Sequence, residues 1–556
     1  MKSMGGPGLL RRLGQGGVAL TATATIIALL IAAPVLSVFS NIFVGGTGAT
    51  WAHLVDTVLG EFVLNTIVLC IGVGLGVGSI GVTCAWLTTM LDFPGRRFFE
   101  WALVLPMAVP AYVMAYVYTD FLQFVGPVQT ALRETFGWHA GQYWFPDVRT
   151  VGGAVAMFMF VLYPYCYMLA RAAFLERAGG MLEAGRSLGL GPWRCFFRVS
   201  LPLARPAVVA GVALALMETL ADFGTVSYFG VQTFTTGIYR AWFSLGDRIA
   251  AAQLSAVLLG CVVVVLALER ATRGRARFHN TSRQQVARSR LRLPLGWGLL
   301  AAFACAMPLL LGFLLPAGLL MKMALTEGDA QFGERFLHLA RNSFLLAALA
   351  AVLAVALALV LAYAARLARS RLPHMLNRVV ALGYAVPGSV IAVGVLIPLT
   401  RIDAQLAQWW QAAFGVNPGL LITGGIAALV YAYLARFLTV ALQAVEGSLA
   451  KITPSMDDAS RSLGLGRWQT LRRVHVPLLR GTLLTAALLV FVDVMKELPA
   501  TLVIRPFNFD TLATQAHTLA ADERLAEAST AALTIVAVGL LPMFAISRQI
   551  ARGRRR

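Results

Sequence analysis

The stretch RSLGLG stands at Arg186–Gly191 and again at Arg461–Gly466. Reading outward from both copies lengthens the match. The first runs EAGRSLGLGPWRCFFRVSLPLARP from Glu183 to Pro206, and the second DASRSLGLGRWQTLRRVHVPLLRG from Asp458 to Gly481. Glu183 aligns with Asp458, Gly189 with Gly464, Leu201 with Val476 and Pro202 with Pro477, each pair 275 residues apart. That offset is close to half of the 556-residue chain. An acid, a glycine and a proline held at one spacing argue for tandem duplication rather than coincidence.

The duplicated chain is apolar. Hydrophobic residues make up 58% and charged residues 13%, where a soluble domain carries roughly a quarter charged. Apolar runs long enough to span a bilayer lie near 19–44, 60–90, 99–122, 150–172, 204–226 and 249–269. A second set lies near 294–322, 342–367, 376–400, 420–441, 480–503 and 529–548. Each matches the ~20 apolar residues that a spanning helix needs. Unalternated runs suit helices and not barrel strands. The fold class is therefore an all-α polytopic membrane protein with about twelve spans, six per half.

The net charge of +20 does not point to nucleic acid, because the basic residues sit in short tracts between apolar runs. Arg11 and Arg12 precede the first run, Arg96 and Arg97 follow the second, and Arg171, Arg177, Arg186, Arg194 and Arg198 follow the fourth. The densest tract runs from Arg270 to Arg292, and the chain ends in Arg552, Arg554, Arg555 and Arg556. Alternate loops are poorer in arginine and hold Asp56, Asp147, Asp247, Asp329, Asp403 and Asp522. This alternation places both termini in the cytoplasm. The first apolar run is long for a signal peptide's core, and a comparable run opens the second half, where no cleavable signal belongs. The resulting division is 1–275, a basic cytoplasmic linker at 276–292, and 293–556.

The repeated segment reads as a short helix with an acid near its positive end, broken by Gly-Leu-Gly. An amphipathic stretch follows, carrying Trp193, Phe196 and Phe197 in one copy and Trp468 and Leu471 in the other. Pro202 or Pro477 then marks re-entry near a helix start. Such a helix–turn–helix suits docking into a groove on another protein. The bland reading is an amphipathic helix lying on lipid. One copy in each half, at one offset, favours docking. A dinucleotide-binding reading of the glycines fails, since an apolar span and no strand precedes them. None of the lysines, Lys2, Lys322, Lys451 and Lys496, follows a glycine, so the chain carries no P-loop.

These residues resemble the EAA loop of ABC importer permeases. Glu183, Ala184, Gly185, Gly189, Leu201 and Pro202 match it in the first copy, and Asp458, Ala459, Ser460, Gly464, Val476 and Pro477 in the second. Departures are mild: Asp for Glu, small residues for the second Ala, and Val for Leu before Pro477. The resemblance implies two tandem six-helix permease domains, with coupling loops at about 180–203 and 455–478 that sit in clefts of ATPase subunits. It further implies an inner-membrane channel without ATPase motifs, two ATPase partners and a periplasmic substrate-binding protein. The stretches beginning at Glu218 and Met495 look like the iron(III) branch, and fused thiamine and phosphonate permeases are near relatives. An ion-gradient-driven transporter is the rival of another class, and it has no need of two matched docking loops.

A second shared feature is acidic. Glu218 and Asp222 stand four apart at the end of an apolar run, and the same offset leads to Asp493 and Glu497. Residues four apart share a helix face, and carboxylates in a membrane default to function. The four acids are candidates to line the outer part of a pathway for a cation such as Fe(III), a hard ion that suits oxygen ligands. The alternatives are pairing of Asp493 and Glu497 with Lys496, or stabilisation of a closed gate. The seven histidines are scattered with no i, i+4 pair, and no Cys-x-x-Cys occurs, so no metal cage is indicated. No cofactor is implied. Tyr163, Tyr165 and Tyr167 read as packing or interfacial residues.

Overall fold

The computed structural model describes residues 7–187, 191–273, 291–326, 333–368 and 370–552, with backbone alone for 7–18, 176–187, 192, 273 and 545–552. Eleven helices among them are long and apolar enough to cross a membrane. A bent pair, Arg96–Ala108 and Ala111–Phe136, makes a twelfth if counted as one span. The pair turns by 91° between its arms, where Pro110 is extended at ψ 145°. The run near 99–122 is therefore no straight span. Pro387 opens the helix Gly388–Phe414 in the same way. The expected span at 376–400 is thereby displaced, and a separate amphipathic helix, Leu372–Val380, takes its first residues. In both places proline disfavours helix for the residue before it. The described strand residues are the two-residue pair Leu91–Asp92 and Leu291–Arg292, which run parallel. The remainder of the expected linker, 276–290, lies outside the described residues.

The chain forms two compact units. One comprises Met1–Gly46, Gly246–Ala256 and Leu337–Thr514, and the other Thr47–Leu245, Val257–Phe336 and Gln515–Arg556. The first span of each sequence half thus packs in the unit built mainly from the other half. In the first unit, Tyr431 donates to the Leu30 carbonyl at 2.5 Å, and Gly394 lies where a Cβ would sit 2.2 Å from the Pro34 carbonyl. In the second unit, Tyr118 donates to the Leu311 carbonyl at 2.6 Å, and a Cβ on Gly312 would meet the Phe160 carbonyl at 2.6 Å. The contacting residues are not repeat equivalents, but the exchange of first spans occurs in both halves, so the duplication extends to tertiary packing.

Inside the second unit, Leu59–Met90 packs on Val151–Ser187 along a small-residue seam. A Cβ on Gly72, Gly76 or Gly81 would meet Val155, Met159 or Cys166 at 2.9, 2.7 or 2.7 Å. Small residues let helix backbones approach where lipid offers no hydrophobic drive for association. The corresponding span Glu334–Leu367 uses buried alanines instead, among them Ala347, Ala350, Ala354 and Ala358.

Candidate functional site

The second copy of the repeated segment is described in full. Its helix Pro454–Ser462 ends with Gly464 at φ +79°, a conformation that favours glycine. The Gly464 N–H donates to the Arg461 carbonyl at 2.9 Å, and the Leu465 N–H to the Ser460 carbonyl at 3.0 Å. This is the Schellman arrangement that satisfies carbonyls at a helix end. The Gly-Leu-Gly turn is therefore built as the sequence suggests. A short helix Arg467–Thr470 follows, and then a π-turn, Leu471–His475, that leads into the span Val476–Met495. Pro477 offers no N–H and its ring crowds the carbonyl four residues back, which a widened turn accommodates.

Side chains brace this segment from beneath. Arg366, at the end of Glu334–Leu367, pairs with Asp457 at 2.9 Å and donates to the carbonyls of Leu449 and Ile452 at 2.7 and 2.9 Å. Asp457 also meets His475 Nε2 at 2.7 Å. Tyr363 donates to the Arg467 carbonyl at 2.7 Å, and the hydroxyls of Ser460 and Thr470 bond at 3.0 Å. The bonds made by Arg366 and Asp457 are charge-assisted and contribute about 1.5–3 kcal/mol each, the neutral ones about 0.5–1.5 kcal/mol. The outward side is different. Leu463 is 81% exposed, Trp468 65%, and Asp458 pairs with Arg461 at the surface. Ala459 is exposed, whereas Ser460 is buried. The segment thus offers an apolar knob on a stiff base.

In the first copy, Glu183, Ala184 and Gly185 lie on the helix Val151–Ser187, and Gly189 lies outside the described residues. From Gly191 onward the backbone repeats the second copy. A π-turn, Phe196–Ser200, precedes the span Leu201–Ala221, so Leu201 and Pro202 open their helix as Val476 and Pro477 do. Trp193 is 67% exposed, like its counterpart Trp468. The brace differs in chemistry. Trp86 packs on Phe174 and Phe196 with centroids 5.8 and 4.8 Å apart, and buried Ser200 stands where the second copy has His475. Among the described residues, aromatic packing stands where the second copy has an ion-pair network.

The acids require a correction. They were expected as two pairs, each on one face of a continuous helix, but in both halves the helix ends between the members. The first span stops at Ala221 and leaves Asp222 extended at ψ 139°. Its carboxylate accepts the N–H groups of Thr225 and Val226 at 2.9 and 3.3 Å and the Thr225 hydroxyl at 3.1 Å. The other span stops at Met495, and Glu497 accepts the N–H groups of Ala500 and Thr501 at 3.0 and 3.1 Å and the Thr501 hydroxyl at 2.7 Å. Each carboxylate therefore caps the short helix that follows, using the orphan N–H groups of its first turn. Glu497 is also paired with buried Arg436 at 3.1 Å. Asp493 pairs with Lys496 at 2.9 Å, the bland arrangement considered for it. Glu218 and Asp493 are half-buried on their helices.

Sequence reasoning missed Arg436, Arg366, Asp457 and His475. Asp457 adjoins Asp458, and only Asp458 has an acid as its repeat partner, so the inward-facing neighbour carried no signal.

The family of binding-protein-dependent transport system inner membrane components matches residues 74–277 and again 354–556. The chain belongs to this family. It is similar to an Fe(3+)-transport system permease protein, FbpB 2, of Haemophilus influenzae, at 26% identity over 94% of this chain and 97% of the relative. It is also similar to the molybdenum transport system permease protein ModB of Escherichia coli, at 29% identity over 34% of this chain and 81% of the relative. The sulfate transport system permease protein CysW of Escherichia coli matches at 29% over 36% of this chain and 66% of the relative. As a family member the chain is a multi-pass inner-membrane permease component.

Proposed function

We propose that this chain is the fused permease of an ABC importer for iron(III). The observation that supports the substrate is coverage. The relative named for Fe(3+) pairs with both halves of the chain, whereas the molybdenum and sulfate relatives each cover about a third of it. Thiamine and phosphonate are the competing substrates, and uptake competition separates them.

In this reading residues 1–275 and 293–556 are two permease domains joined by the basic segment 276–292, with both termini cytoplasmic. Two ATPase subunits grip the segments 180–203 and 455–478. Trp193 and Trp468 enter their clefts, while Ser460 and Gly464 shape the turn of the second segment. Leu201–Pro202 and Val476–Pro477 pass the motion to the spans through the π-turns. A stiff base matters here, because a soft loop absorbs the displacement of the ATPases instead of transmitting it. Closure on ATP then rocks the halves about the pathway. A periplasmic binding protein delivers iron at the outer ends of the spans. There Glu218 and Asp493 favour a cation, while Asp222 and Glu497 set the backbone of the short helices that follow.

The test is ATP-driven uptake of radioactive iron into proteoliposomes holding the chain, its ATPase and its binding protein. Deleting either loop is expected to leave ATP hydrolysis uncoupled from uptake. Uptake driven by an ion gradient without the ATPase, or full uptake after loss of one loop, overturns the reading.

A further inference from the structure

Each repeat carries a buried polar clamp that belongs neither to its docking segment nor to its cap. In the second unit Glu100 is buried on the short helix Arg96–Ala102, which opens the first arm of the bent pair. Glu100 is ion-paired with Arg96, and its Oε2 lies 4.0 Å from Nη2 of Arg171. Arg171 stands on Val151–Ser187, the span that runs into the first docking segment. Arg96 also pairs with Asp92 at 3.3 Å and donates to the Thr88 carbonyl at 3.3 Å, at the end of the span Leu59–Met90. Tyr167 on Val151–Ser187 donates to the Glu100 carbonyl at 2.9 Å. Two spans and the short helix between them are thereby tied together.

The first unit makes the same tie with other chemistry. Asn377 is buried on Leu372–Val380, and its amide donates to Oε1 of Glu446 at 2.5 Å and to the Leu361 carbonyl at 3.3 Å. Glu446 stands on Ile426–Leu449, the span before the second docking segment, and Leu361 on Glu334–Leu367. Thr439 on the same span as Glu446 donates to the Val380 carbonyl at 2.8 Å.

The paired positions are repeat equivalents. Ala108-Val109-Pro110 recurs as Ala385-Val386-Pro387, and that offset of 277 residues carries Glu100 to Asn377 and Arg96 to Pro373. The loop offset of 275 carries Arg171 to Glu446. The acid therefore stands on the short helix in one repeat and on the span in the other. Without an arginine at 373, Asn377 reaches the preceding span itself, as Arg96 does for Glu100. A contact kept in place while its chemistry is exchanged marks the contact, and not either residue, as what both halves need. Stability alone does not require it, because well-packed apolar residues serve as well as a buried ion pair or better.

We propose that Glu100 with Arg171, and Asn377 with Glu446, are positioning residues for coupling. Each pair locks the span that bears a docking segment to the short helix and the span before it, so a displacement of the loop moves all three together. A contiguous network of this kind carries coupling between distant sites. The proposal rests on the reading of the chain as an ATPase-driven importer.

The test measures radioactive iron(III) taken up per ATP hydrolysed, with the full chain, its ATPase and its binding protein in proteoliposomes. Arg171→Met and Glu446→Leu each remove one clamp at similar volume. Uptake per ATP is expected to fall at least about threefold in each, within the range for residues that carry coupling. Glu446→Gln keeps an acceptor for Asn377 and is expected to keep the ratio. The decisive variant combines Glu100→Asn with Arg171→Glu, giving the first repeat the pair of the second. It is expected to restore the ratio that Arg171→Glu alone loses, and to assemble even where the single variants do not. Three results overturn the clamps and leave the importer reading standing: an unchanged ratio in both Arg171→Met and Glu446→Leu, uptake and hydrolysis falling in proportion in both, or a double variant no better than Arg171→Glu. A wild type without ATP-driven iron uptake overturns both.

Discussion

Glu497→Ala isolates the one cap that is also an ion pair. The Glu497 side chain is 1% exposed and that of Arg436 9%, so the substitution leaves a buried guanidinium without its counter-charge. Breaking a buried pair in this way costs about 3–5 kcal/mol. The N–H groups of Ala500 and Thr501 also lose their acceptor, within the cost of about 0.5–2 kcal/mol typical of a lost cap. The pair is packed tightly against Gly388, where a Cβ would sit 2.5 Å from Oε1 of Glu497 and 2.8 Å from Nη1 of Arg436. Asp222→Ala removes the matching cap without a buried arginine and costs only about 1 kcal/mol. The assay is the thermal midpoint of the purified chain in one detergent, for Glu497→Ala, Arg436→Met, the double variant and Asp222→Ala. Glu497→Ala is expected to shift the midpoint several times further than Asp222→Ala. The double variant is expected to recover much of the loss, since the uncompensated charge is gone, with a coupling of at least about 1 kcal/mol. Equal shifts for the two caps, or a double variant equal to the sum of the singles, would falsify the claim that the pair dominates.

Trp193→Ala and Trp468→Ala remove exposed side chains, so stability is expected to hold within about 0.5 kcal/mol. Affinity for the ATPase, measured by surface binding, is expected to fall by about 2 kcal/mol for each as interface anchors are lost. Gly464→Ala forces a side chain into a positive-φ turn and is expected to cost more than about 1 kcal/mol, read as weaker coupling of ATP hydrolysis to uptake. His475→Ala loosens the base beneath the second segment only. Proteolysis is expected to cut faster at 455–478 and at its usual rate at 180–203. Asp403 accepts the N–H groups of Leu421, Ile422 and Thr423 and the Thr423 hydroxyl at 2.6–3.1 Å. Asp403→Ala is expected to lower the thermal midpoint through loss of bonds worth about 1.5–3 kcal/mol apiece.

The duplication was legible because identical residues recur at one offset, and the spans because apolar length is a one-dimensional property. The Gly464 turn was legible for a similar reason: a helix ending in glycine is local chemistry. The bend after Ala108 was less so. Pro110 was visible, but its effect depends on neighbours that bury both arms. The acids misled in an instructive way. Four-residue spacing implies one face only if the helix continues, and a carboxylate that can cap the next helix is itself a reason for the first to stop. Arg436 was hidden inside an apolar run, 61 residues from its partner. The joining of each first span to the other half's unit has no local signature, because any long apolar helix satisfies lipid and protein alike.

The two repeats amount to an internal control. Where both keep one backbone job, the job belongs to the shared architecture: the π-turn before the span, the exposed tryptophan, the carboxylate just beyond the end of the span. Where they diverge, the fold has been satisfied in two ways, and the difference is free to carry specificity. Trp86 with Phe196 and Arg366 with Asp457 both stiffen a loop. One does so by aromatic packing that is indifferent to charge, the other through ions that must keep theirs. The same logic separates Glu497, whose cap function Asp222 performs without an arginine, from Arg436, which the first repeat lacks at the matching Val161. A duplicated permease therefore need not move symmetrically. The second loop rests on an ion pair that is largely shielded from solvent and that salt screens little. Arg366→Met should therefore impair coupling through the second loop and leave the first as it was.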